Sequence, residues 1–184
     1  MRQEFNLKAT VRSRAEASRY LMQPGDAVVV DRGGPRWLII LCPCGCGDEI
    51  PVNVDPRAGP AWRLYRRGER GLSLFPSVWR DTDCKSHFII RRNQILLFKH
   101  RPADFRPVMA PSEVDALSLL AQERLPISGS KSFVEVAEDL GAVPWDVLDA
   151  LRHLVRKGLA IEGQGEQQGC FKRSLNFDSG MADT

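Results

Sequence analysis

The chain has 184 residues, 43% of them apolar and 27% charged, with a formal net charge of +3. That length suits one medium or two small domains. No apolar run reaches the ~18 residues that a membrane helix needs, and so mild a positive charge does not by itself indicate nucleic acid. The first residues, MRQEFNLKATVRSR, carry basic groups but no apolar core, so no secretory signal is expected and the cytoplasm is the expected compartment.

In chain order, FNLKATV alternates Phe5, Leu7, Ala9 and Val11 as a half-buried strand would. A short helix is predicted over Ala15 to Met22, ended by Pro24-Gly25. DAVVVD and RWLIILC follow as strands around a Gly33-Gly34-Pro35 turn. EIPVNV, WRLYRR and LSLF are further strands, and HFIIRRNQILLF is a hairpin turning near Arg92-Asn93. Residues 102–111, RPADFRPVMAP, hold three prolines and form a linker.

Beyond the linker the period becomes helical. Ser112 opens SEVD, close to a capping box with Asp115, and Val114, Leu117 and Leu120 share a face. A second helix is predicted over Phe133 to Leu140, stopped by Gly141. A third starts at Pro144, carries Val147, Leu148, Leu151, Leu154 and Val155, and stops at Gly158. LAIEGQGEQQGCFKRSLNF then gives strand, loop, strand. The expected fold is α+β: a β-rich domain over 1–105, a winged-helix-like domain over 106–178 and a disordered tail over 179–184.

Five cysteines, Cys42, Cys44, Cys46, Cys84 and Cys170, are an odd number for a disulfide framework. CPCGCG and CKSH instead supply soft ligands in two groups, and structural zinc takes four such ligands in a tetrahedron. The preferred set is Cys44, Cys46, Cys84 and His87, with Cys42 either replacing one of them or buried alongside. Four protein ligands leave no open position for water, so Zn2+ is expected to be structural. Glu49 as a general base and Asp48 beside it are then a solvated turn.

These residues resemble a known pattern. WLIILCPCGCGDEIPV, Trp62, LSLFPSVW and CKSHFIIRRNQI, over roughly residues 25–100, are similar to a family of small bacterial CGCG-type metal-binding domains of unknown function. Its genes neighbour those of ubiquitin-like conjugation: a ubiquitin-like protein, an E1-like and an E2-like enzyme. The resemblance implies Cys44, Cys46, Cys84 and His87 as metal ligands and a protein partner from that set.

Ser77, within PSVW, is a nucleophile only if a free histidine lies beside it. With His87 given to the metal, and His100 and His153 in no triad context, PSVW reads as a turn and no catalytic residue is expected. In the third helix, Asp146 and Asp149 at the leading end would repel phosphates, while Arg152, Arg156 and Lys157 suit the helix dipole. Trp145 is a partner anchor if exposed and core if buried. Arg63, Arg66, Arg67 and Arg70 beside Trp62 and Tyr65, extended by Arg91, Arg92, Lys99 and Arg101, are either a single-strand grip or ordinary surface charge. The leading expectation is a zinc-stabilised adaptor of a ubiquitin-like conjugation or defence system. A peptidase directed at the ubiquitin-like partner and a nucleic-acid-binding regulator are the alternatives.

Overall fold

The computed structural model describes residues 3–66, 68, 71–81, 84–98 and 109–175. Asp83, Arg67, Arg70, Lys99, His100 and Arg101, most of the expected linker and the expected tail lie outside them. The chain divides into two units, Met1–Arg106 and Pro107–Thr184. Among the described residues no helix is long and apolar enough to cross a membrane. The fold is mixed α+β and rich in strand, with four α-helices among the described residues.

The first unit contains two sheets. One is formed by β2 (Asn6–Val11), β3 (Asp26–Asp31), β4 (Pro35–Leu41) and β5 (Glu49–Asn53) in that order, with β2 parallel to β3 and the rest antiparallel. The other has the order β1 (Gln3–Glu4), β9 (Gln94–Leu97), β8 (His87–Arg91), β7 (Leu72–Trp79), β6 (Arg63–Arg66), antiparallel throughout. Their facing side chains make one core: Ala27, Val29, Leu38 and Ile40 with Leu74, Val78, Phe88 and Ile90. The opposite face of β3 and β4 buries Val28, Val30 and Ile39 under Val11, Ala17 and Leu21. Burial on both faces explains why DAVVVD is apolar without alternation.

The helix expected over Ala15 to Met22 is shorter: α1 spans Arg14–Ala17 and tightens into a 3-10 turn at Ser18–Tyr20. Its one buried side chain is Ala17, so little apolar surface supports a longer helix. Arg92 and Asn93 both take positive φ (50° and 60°), as a two-residue hairpin loop requires. The larger correction concerns PSVW. It is no turn: β7 continues through it to Trp79.

In the second unit, α2 (Pro111–Glu123), β10 (Lys131–Ser132), α3 (Phe133–Asp139), α4 (Pro144–Arg156), β11 (Ala160–Glu162) and β12 (Cys170–Arg173) follow in sequence. The strands form a sheet in the order β10-β12-β11. α2 begins one residue before Ser112, and the box that caps it uses Glu113, whose carboxylate accepts from the Ala110 N–H at 3.0 Å. α4 turns Val147, Leu151 and Leu154 inward onto Ala121, Val136 and Phe171. Leu151 is fully buried. Leu151→Ala is expected to cost this unit about 3 kcal/mol, read as a shift in its denaturant midpoint; no shift would mean that this core does not hold the helices.

Candidate functional site

Two constellations lie at the same end of β7 and β8, and both depend on turns. The first begins in the β4–β5 connection, CPCGCGD. The Cys42 N–H donates to the Asp48 carbonyl (2.8 Å) and the Gly45 N–H to the Cys42 carbonyl (3.1 Å), which closes the loop on itself. Gly45 and Gly47 sit at φ +87° and +86°, a region that side chains strain to adopt, and this lets alternate residues turn the same way. On the other sheet, the Arg80 N–H donates to the Ser86 carbonyl (2.8 Å) across the β7–β8 turn that carries Cys84.

The structure brings Cys42, Cys44, Cys46 and Cys84 together, with all four Sγ atoms within 4.8 Å of one another. Cys42 Sγ lies 3.3 Å from Cys44 Sγ and 3.8 Å from Cys84 Sγ. A tetrahedral ion with metal–sulfur bonds of about 2.3 Å needs sulfurs about 3.8 Å apart, so the four thiols fit one metal ion. His87 lies outside this group, and Cys42, the expected spare, is inside it and fully buried. Cys170 is in β12, in the other unit.

Four thiols in so small a volume cannot all ionise unaided. The Ser86 hydroxyl, 3.3 Å from Cys84 Sγ, is the main cause that pushes the Cys84 thiol down to about 6. Cys44 is also lowered, because hydrogen bonds from Ser86 and Cys42 outweigh its burial. Burial pushes Cys42 up. Cys46 is raised as well: the Asp48 backbone favours its thiolate, but burial and the neighbouring Cys44, Cys42 and Asp48 side chains prevail. A bound cation removes that conflict for all four. Asp48 also pairs with Arg80 at 2.7 Å, joining the two turns a second time, while Glu49 is the first residue of β5.

The second constellation follows from a break in the β7–β8 ladder. Leu74 pairs with Ile90 and Val78 with Phe88, so three residues of β7, Phe75 to Ser77, face the single residue Ile89. Beyond this bulge Trp79 pairs with His87. Val78 and Phe88 point into the core, so their neighbours Ser77, Trp79 and His87 project from the opposite face. There Ser77 Oγ lies 3.0 Å from His87 Nε2. The Trp62 indole N–H donates to the Ser77 carbonyl (3.2 Å) and holds the bulged backbone in place. Trp79 is 73% exposed and Phe98, just after β9, is 49% exposed.

A half-buried serine within hydrogen-bond distance of an imidazole is the pairing that activates a hydroxyl as a nucleophile. Residues 14–98 match the model of a family described as bacterial ubiquitination-like system serine protease (BubE). The matched stretch contains Ser77, His87 and all four clustered cysteines and ends before the second unit. No curated protein and no solved structure is a significant match.

The match links the chain to bacterial ubiquitination-like systems. It overturns the adaptor expectation, because the matched family is described by a proteolytic activity. That expectation gave His87 to the metal and left Ser77 without a neighbouring imidazole; the structure places the two side by side. The signal available in the sequence was the strand itself: LSLFPSVW drawn as one strand and folded onto HFIIR puts Ser77 and His87 on one face, one pairing step apart.

Other sites also differ from expectation. Asp146 is buried and does not face outward along α4. Arg152 is paired with Glu162 (3.1 Å) and Lys157 with Asp115 (3.0 Å), so both bases have acidic partners. Trp145 is half-buried and stacks on Phe133, 6.3 Å between centroids. Arg63 and Arg66 are exposed on the edge strand β6, while Trp62 and Leu64 pack against the core.

Proposed function

We propose that the chain is a serine peptidase directed at the ubiquitin-like protein of its system, with Ser77 as nucleophile and His87 as general base. The observation that carries this reading is the 3.0 Å separation of Ser77 Oγ and His87 Nε2 on the outer face of the sheet. With the neutral imidazole protonated at Nδ1, Nε2 accepts the Ser77 hydroxyl proton as Oγ bonds to the scissile carbonyl carbon. The imidazolium then returns that proton to the leaving amine as the C–N bond breaks. A water, deprotonated by the same nitrogen, releases the acyl group from Ser77.

Cys42, Cys44, Cys46 and Cys84 would hold zinc, the ion that a closed four-thiolate set suits. Such a site supplies no chemistry to the reaction; it ties the β4–β5 turn to the β7–β8 turn, three residues before the base. The order helix, short strand, two helices and hairpin in the second unit supports a winged-helix reading. The acid-paired bases of α4 favour contact with a protein over contact with DNA.

A fluorophosphonate ester, which phosphonylates activated serines, tests the assignment. One equivalent should attach to Ser77, located by peptide mass, and His87→Gln should slow attachment by at least about 100-fold. Labelling elsewhere, or equal labelling of His87→Gln, would refute the pair.

A further inference from the structure

In a Ser–His–Asp triad the acid does two things: it fixes the imidazole plane, and it stabilises the cation formed when the serine proton arrives. Here, among the described residues, no carboxylate hydrogen-bonds His87. The described side chains stacked on the ring are aromatic. Trp79 is the cross-strand partner of His87 on β7. On the β9 side the Phe98 N–H donates to the His87 carbonyl at 3.0 Å, which places Phe98 opposite His87 there. The three residues therefore form a row across three adjacent strands. Phe98 stacks on the imidazole at 4.1 Å between centroids and 26° between planes, and Trp79 lies at 5.8 Å and 30°.

We infer that Trp79 and Phe98 are positioning residues for His87, doing with two aromatic faces what a carboxylate does in a triad. The inference rests on the peptidase reading of Ser77 and His87. The stacked rings stop the imidazole from turning about its χ2 axis, so Nε2 stays directed at Ser77 Oγ. When the proton passes from Oγ to Nε2, the imidazolium lies face-on to two negative π faces, which attract it. The neutral ground state gains far less from those faces, so the interaction favours the transition state over the resting enzyme. Phe98 is nearer and less exposed than Trp79 and contributes the larger share.

Exposed aromatic side chains beside a nucleophile invite another role, as a seat for an apolar substrate residue. The two roles separate in kinetics. Positioning alters the rate of the chemical step, whereas a seat alters binding. The probe is a small alkyl fluorophosphonate acting on the full chain, with kinact and KI measured separately. Phe98→Leu keeps an apolar side chain and removes the π face; Phe98→Tyr keeps the face.

The expected result is a threefold to thirtyfold fall in kinact for Phe98→Leu, with KI within about twofold of the unaltered protein. Phe98→Tyr should restore the rate, and Trp79→Leu should show a smaller fall of the same kind. Leu serving as well as Tyr at position 98, or a change confined to KI, would overturn the inference. An unaltered protein that takes up no probe at Ser77 would be a different failure, that of the peptidase reading itself.

Discussion

Ser77→Ala should leave the protein folded and abolish cleavage. The substrate for this experiment is the ubiquitin-like protein of the same system, fused through its C-terminus to a reporter. The measured quantity is the appearance of free reporter. Removing the nucleophile of a serine hydrolase typically costs 10^4-fold or more, because no other group can form the acyl bond. Ser77 is only partly buried and its side chain is small, so alanine leaves no cavity of consequence, and the melting temperature should stay within about 2 °C. Residual cleavage within tenfold of the unaltered protein would mean that another group is the nucleophile. Glu49 serves as the control: it lies at the start of β5, and Glu49→Ala should cleave at the normal rate.

The second large effect concerns the thiolate cluster. Chelating the proposed zinc, or replacing the fully buried Cys42 by serine, should release the β4–β5 turn from the β7–β8 turn. Metal ligation contributes directly to folding free energy. A loss of even ~2 kcal/mol in a unit of about a hundred residues lowers its melting temperature by about 10 °C. Elemental analysis of the untagged protein should find one zinc per chain, and Cys42→Ser should carry markedly less. The second unit, whose core is separate, should melt as before. Full zinc occupancy in Cys42→Ser, or an unchanged melt after chelation, would contradict a structural ion at this position.

The sequence and the structure agree most closely where one physical signal dominated. RWLIILC and DAVVVD are too apolar and too β-branched for anything but buried strands, and β4 and β3 are those strands. The hairpin at Arg92-Asn93 and the start of α4 at Pro144 follow from turn and capping chemistry. PSVW was misread because proline is rare inside strands and the turn reading needs no partner. It belongs to a strand because a bulge excuses Pro76 from the ladder, and a bulge depends on the opposite strand, which local sequence does not reveal.

The same limit governed the site. Three cysteines spaced two apart, with another cysteine further on, were enough to point to a metal. Which four of five candidates converge depends on how two turns meet across a sheet-to-sheet core. CKSH made His87 look like a ligand because a histidine three residues after a cysteine often is one. In the fold Cys84 lies in the turn, while His87 is already in β8 and turned toward Ser77. Only tertiary pairing separates those two destinations.

Surface segments usually tolerate insertions and deletions, but the stretch around Pro76 should not. Phe75 to Ser77 oppose the single residue Ile89, so removing one of the three would shorten the bulge and shift the Ser77 hydroxyl away from His87. Natural variation there should be confined to exchanges of one side chain for another at fixed length. A shortened version should lose the 3.0 Å approach of Ser77 Oγ to His87 Nε2 while keeping the Val78–Phe88 pairing.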